Sequence, residues 1–104
     1  MIVTDRITLA GRLILPGSVI EVGRLAIEGS RIAAVTNGET EPGDLDLTGH
    51  TVVPGFVDLH VHGGGGASYA SGIAEEALLA ARTHLDHGTT TTVASTVTGE
   101  IDDL

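Results

Sequence analysis

From residue 56 onward the chain carries a pattern that few architectures satisfy. Residues 56–62, Phe-Val-Asp-Leu-His-Val-His, form an apolar run with a polar residue at every second position. In a strand, residues 58, 60 and 62 share one face, and 57, 59 and 61 share the other. Four glycines, Gly63 to Gly66, follow. Over residues 73–87 the spacing then turns helical, with Ile73, Ala77, Leu78, Ala81 and Leu85 on one stripe. Glu75 and Glu76 fall in the first turn, where the helix dipole favours anions, and Gly88 is a stop signal. The β-branched run 89–95 predicts a second buried strand. Residues 100–104 read as the opening of another helix. Strand, helix and strand in this order make a βαβ unit, whose strands are parallel and joined by a right-handed crossover.

The first half has a different texture. Residues 6–10 and 12–15 predict short strands broken by Gly11 and by Pro16-Gly17. Residues 24–28 and 31–35 flank Gly29-Ser30, the signature of a hairpin. The polar stretch 37–44, with Gly38, Pro42 and Gly43, predicts a loop. Residues 45–47 and 51–53 predict two more short strands. Residues 1–53 therefore read as part of an all-β layer or sandwich. No internal repeat is present.

Composition narrows the function. Fourteen acidic residues face five basic ones, all Arg, for a formal net charge of −9. Nucleic-acid binding needs a basic footprint that replaces counterions, and attraction to an anionic membrane needs the same, so neither partner is expected. There is no cysteine, which excludes disulfides and thiolate metal sites and leaves His, Asp and Glu as ligands. Residues 1–6 lack the basic start and apolar core of a signal peptide, and no run reaches 18 apolar residues. These features predict a soluble, cytoplasmic protein. The length of 104 residues falls far short of the roughly 250 of a complete (β/α)₈ barrel.

His60 and His62 are the strongest chemical feature. On a strand, side chains at i and i+2 point the same way, about 6.5–7 Å apart at the backbone. Two such imidazoles can converge on one cation, with zinc–nitrogen bonds of about 2.0–2.1 Å. A bare His-x-His pair also arises by chance. Here two His and Asp58 share one face of an apolar strand, and polar groups in such a setting need partners.

The run Pro54-Gly55-Phe56-Val57-Asp58-Leu59-His60-Val61-His62 resembles the first-barrel-strand signature of the amidohydrolase superfamily. Gly49-His50-Thr51-Val52-Val53 resembles the usual entry from that superfamily's small β-domain. The glycine run, the helix and His87-Gly88-Thr89-Thr90-Thr91 narrow the likeness to N-acetylglucosamine-6-phosphate deacetylases. The resemblance implies an α/β fold, the amino-terminal fragment of a (β/α)₈ TIM barrel preceded by part of a small β-sandwich domain. Residues 1–53 would belong to the sandwich and 54–104 to the first β/α units of the barrel. It also implies His60 and His62 as the first two ligands of a divalent metal, most simply zinc, in a site able to hold two ions. The activity implied is hydrolysis of the acetamide of N-acetylglucosamine 6-phosphate, a small amino-sugar phosphate, by an enzyme compatible with homo-oligomer formation. The family's other ligands and its proton-shuttling Asp lie on later strands, beyond Leu104. The chain by itself is therefore expected to be inactive, and prone to aggregate or to stay partly molten, because neighbouring strands and helices would cover its open edge and apolar helix face.

Other readings compete. Dihydroorotase-like and aminoacylase-like amidohydrolases share the first-strand signature, and a non-catalytic β-rich remnant would retain it without activity. Asp58 reads equally as a group orienting a ligand His and as a structural hydrogen-bonding residue. The glycine run reads as a flexible loop at the barrel mouth rather than a phosphate cradle, since no P-loop motif is present. His62-Gly63-Gly64-Gly65 also spells an esterase oxyanion-hole motif, but its Gly-x-Ser-x-Gly partner is missing. His84 and His87, one helical turn apart, read as solvated residues at a helix end. His50 has no assigned role, and residues 89–92 read as a strand rather than as nucleophiles.

Overall fold

The computed structural model describes residues 5–103. Residues 1–4, read above as not belonging to a signal peptide, and Leu104, read as part of an opening helix, lie outside the described residues. The chain divides into two compact units between Pro54 and Gly55.

The first unit is a four-stranded sheet of order β3-β2-β1-β4. Strands β1 (Arg6–Leu15) and β2 (Ser18–Glu28) are antiparallel and joined at Pro16-Gly17, with Leu15 opposite Ser18. Gly17 has φ +79°, and Pro followed by a glycine at positive φ is the sequence requirement of a tight type II turn. The Pro-Gly pair expected to end a strand also folds it back on the next, and residues 18–23, to which the sequence assigned no element, belong to β2. The hairpin at Gly29-Ser30 forms as expected: Glu28 pairs with Arg31, joining β2 to β3 (Arg31–Asn37).

Gly11 does not interrupt β1. It sits where β4 (Leu45–Val52) swells against β1. These two strands pair in parallel, and the register moves from Ala10 opposite Asp46 to Arg12 opposite Thr51. A side chain on Gly11 would place its Cβ 2.9 Å from the Leu47 carbonyl oxygen, so glycine is what lets the swelling fit. Residues 45–47 and 51–53, expected as two strands, are thus parts of one interrupted strand that ends at Val52. Ala10, Leu13, Leu25 and Ala26 are the buried centre of the sheet. An open apolar cleft of about 240 Å³ lies over Leu13, Leu15, Leu25, Ile32 and Val52.

The loop between β3 and β4 is held by charge. Arg24 on β2 grips Asp44 with both ends of its guanidinium, Nε to Oδ2 at 2.7 Å and Nη2 to Oδ1 at 3.0 Å. Its Nη1 reaches Glu41 at 2.9 Å. Asp44 also accepts from the Glu41 backbone N–H at 2.9 Å. The Arg24 fork, followed by that N–H, holds the Asp44 carboxyl below its ordinary value. The Asp46 carboxyl is likewise lowered, first by the Thr48 hydroxyl and then by the Thr48 N–H.

In the second unit, β5 (Phe56–Val61) and β8 (Thr89–Ala94) pair in parallel, and α1 (Ala74–Leu85) lies between them in sequence. The strand–helix–strand order and parallel pairing expected from the sequence are present, so the fold is mixed α/β and mostly strand. The glycine run is not a flexible loop. It forms a miniature antiparallel hairpin of β6 (Gly63–Gly64) and β7 (Ala67–Ser68), followed by a 3₁₀ turn at Tyr69–Ser71. Gly65 and Gly66 have φ of +62° and +84°, the two consecutive positive values that a type I′ hairpin turn demands.

The helix encloses little of its apolar stripe. Ala80 is its one fully enclosed residue among those described, while Leu78, Leu79 and Leu85 are about half exposed. The helix meets the hairpin through Thr83 and His84, and Leu78 and Leu85 border an open cleft over Thr89–Thr92 of β8. Residues 101–103 form a single 3₁₀ turn rather than the start of an α-helix.

The Arg24–Asp44 pair gives a signed prediction. A carboxyl whose folded value lies below its unfolded one contributes stability that is complete above the unfolded value, near pH 4, and is lost as pH falls through the folded value. Asp44→Asn lowers the denaturation midpoint at pH 7 and removes part of the acid-induced loss below about pH 4. Arg24→Lys lowers it too, because an ammonium cannot reproduce the two-pronged contact. Denaturant midpoints at pH 7 and below about pH 4 check both.

Candidate metal centre

His60 and His62 are brought together. Their Nε2 atoms stand 3.0 Å apart, and the ring planes meet at 68° with centroids 5.0 Å apart. The two-residue strand period aims both side chains to one side. His60 lies within β5 and His62 directly follows it, and both are exposed. Two nitrogens bound to one tetrahedral zinc at about 2.05 Å are about 3.3 Å apart. The observed spacing therefore fits a shared cation with a small adjustment of either ring. Without a cation, one Nε2 donates its hydrogen to the other.

Asp58 does not orient either ring. Its Oδ1 accepts a hydrogen bond from the His60 backbone N–H at 3.1 Å, so it braces the strand where the first imidazole leaves it. Among the described residues, no group of three or more His, Asp or Glu is gathered that could hold a metal, so the two imidazoles stand as a pair.

Backbone contacts fix the position of β5. Phe56 N–H donates to the Gly88 carbonyl at 2.9 Å, and Ser95 N–H donates to the Val61 carbonyl at 3.0 Å. Val61 N–H in turn donates to Ser95 Oγ at 3.3 Å. Gly55 lies so close to Thr90 that a Cβ there would overlap its side chain. Immediately after the pair, the Tyr69 N–H donates to the His62 carbonyl at 3.0 Å.

The other candidates fall elsewhere. His84 Nε2 donates to the Gly63 carbonyl at 2.8 Å, and His87 Nδ1 to the Thr83 carbonyl at 2.8 Å. Each ring serves a different carbonyl, so they are not a ligand pair. His87 is exposed as expected, whereas His84 is partly buried in a structural contact. The sequence did carry a signal for this contact: adjacent glycines mark places where another element comes close. Thr92 Oγ1 is buried and makes no hydrogen bond, which marks the threonine run as packed strand rather than nucleophile. His50 lines a cleft of about 260 Å³ in the first unit with Arg12, Glu21 and Glu39, and it meets no second histidine there.

Gly55→Ala should destabilise the protein by about 1–3 kcal/mol, since an added methyl at a closed contact forces strands apart. Chemical denaturation reads the loss. An unchanged midpoint would mean that β5 and β8 are not packed as described.

The sequence model of the amidohydrolase family matches residues 51–104, just over half of the chain. Two structures of N-acetyl-D-glucosamine-6-phosphate deacetylase from Mycobacterium smegmatis are similar to the chain, each at 37% identity and a TM-score of 0.87. One of them is a mutant in complex with N-acetyl-D-glucosamine-6-phosphate. They cover 94% and 93% of this chain, which spans only 26% and 28% of theirs. A crystal structure of an uncharacterized protein matches at 26% identity and a TM-score of 0.56, over 85% of this chain and 25% of its own. No curated protein gives a significant match. The strand that carries His60 and His62 lies inside the matched segment, and this chain belongs to the amidohydrolase family.

Proposed function

We propose that this chain supplies the first two metal ligands, His60 and His62, of an enzyme that removes the acetyl group from N-acetylglucosamine 6-phosphate. The observation that carries the reading is the convergence of the two Nε2 atoms to 3.0 Å at the end of β5. The likeness to the two deacetylase structures supports the choice of substrate over those of other amidohydrolases. In this reading, residues 1–53 are part of a β-sandwich and residues 54–104 open a (β/α)₈ barrel.

The chemistry expected of a bound divalent ion, most simply zinc, is to acidify water and polarise the amide carbonyl. The chain's own part is to hold two neutral imidazoles at one point. Asp58 fixes the main chain at His60, and the Tyr69 N–H fixes it at His62. Catalytic zinc usually has three protein ligands and an open position, so the remaining ligands and the proton carrier come from outside these residues. The enzyme is assigned to the cytoplasm, acts on a small sugar phosphate, and requires neither nucleic acid nor membrane. Among the described residues, no helix is long and apolar enough to cross a membrane.

Two outcomes follow. In the full-length protein, His60→Ala combined with His62→Ala abolishes zinc uptake at the site and drops deacetylation to background, read by metal analysis and acetate release. Residues 1–104 alone release no acetate from the sugar phosphate. Turnover by that piece, free of full-length enzyme, refutes the half-site reading.

A further inference from the structure

We propose that His84 is a positioning residue for His62, acting through the Gly63 carbonyl. The proposal rests on the reading of His60 and His62 as metal ligands and extends it to the helix that follows them. The main chain leaving His62 is clamped twice. The Tyr69 N–H donates to the His62 carbonyl at 3.0 Å, and His84 Nε2 donates to the next carbonyl, Gly63, at 2.8 Å. A carbonyl can only accept, so His84 carries its hydrogen on Nε2. His84 is partly buried, at the last turn of α1, and so ties the backbone beside the site to a regular element.

The glycine run is cut to this contact. A Cβ on Gly64 would lie 2.6 Å from His84 Nε2, a Cβ on Gly65 would overlap Thr83 Oγ1, and a Cβ on Gly63 would overlap the Ala67 carbonyl. Two side chains are thus absent where the helix meets the hairpin, and a third where the two hairpin strands pair. A second tie, from the Ser68 N–H to Glu76 Oε2 at 3.3 Å, fastens the other hairpin strand to the same helix. The backbone that sets the direction of the His62 ring therefore inherits the rigidity of α1. Groups that orient ligands typically change metal affinity by about 10–100-fold when removed.

The test uses full-length apo-protein titrated with zinc alone. His84→Ala should weaken zinc binding by about 10–100-fold. His84→Gln should recover most of the loss, because an amide N–H can donate to the same carbonyl. A purely structural role predicts lower thermal stability in the Ala variant with unchanged zinc affinity, and that result overturns the proposal, as does failure of Gln to rescue. Nitrogen-15 NMR of the wild-type imidazoles supplies a measurement that does not depend on a variant folding. A hydrogen on Nε2 of His84 supports the proposal, and a hydrogen on Nδ1 alone overturns it. The His60→Ala, His62→Ala double variant separates the two levels. Loss of zinc there upholds the ligand reading whatever His84 does, whereas wild-type zinc uptake removes both.

Discussion

The second unit depends on a close approach of helix to bare backbone. Helix α1 can reach the hairpin only because Gly64 and Gly65 present no side chains to His84 and Thr83. Larger groups at either surface would hold the helix off and open the His84–Gly63 bond, a contact whose strength falls steeply with distance and angle. That bond and the type I′ turn at Gly65-Gly66 convert four glycines, ordinarily the most flexible of residues, into a fixed hairpin. The price is conformational entropy, and the hairpin offsets it with backbone pairing, the helix contact and the Ser68–Glu76 tie.

The parts of this fold that were legible in the sequence are those set by local rules. The two-residue period put His60 and His62 on one side, and the structure brings their nitrogens into contact. Gly29-Ser30 announced a hairpin and the β-branched run 89–95 a strand, found as Thr89–Ala94, while the helix expected to run up to Gly88 ends at Leu85. What escaped local rules was decided by partners distant in sequence. Gly11 looks like a break until Leu47 is seen swelling against it. The helix stripe named Ala77, Leu78, Ala81 and Leu85, whereas the one fully enclosed helix residue among those described is Ala80, and Leu78 and Leu85 stay half exposed. His84 was placed at the helix end, but its acceptor lies 21 residues earlier and is a main-chain carbonyl, which no side-chain pattern records.

The first unit solves a different problem. Its sheet must hold a polar loop between β3 and β4, and apolar burial cannot do that for residues 38–44. Arg24 does it by charge, from a position whose side chain is 23% exposed, onto an Asp44 side chain that is 5% exposed. A fork-to-carboxylate contact has directional demands that a lone ammonium pair lacks, so it specifies loop geometry as well as attracting it. The neighbouring Asp46 turn, closed by Thr48, extends the same logic along the loop's exit into β4.

Exposure separates the two kinds of order in this chain. Among the described residues, apolar side chains of β5 are open, Phe56 at 58% and Leu59 at 71%, as are the leucines of α1, so within this chain burial does little to fix the strand that bears His60. Its position comes instead from directional bonds: Phe56 to Gly88, Ser95 to Val61, Tyr69 to His62, and Asp58 to the His60 N–H. Hydrogen bonds set distance and angle, whereas burial of area is non-directional. A pair of ligands must arrive at one point within a fraction of an ångström, and a centre held mainly by apolar packing would leave that to chance. Because the bonds that aim His60 and His62 are made within this short stretch of chain, the meeting of the two rings is set by these residues themselves.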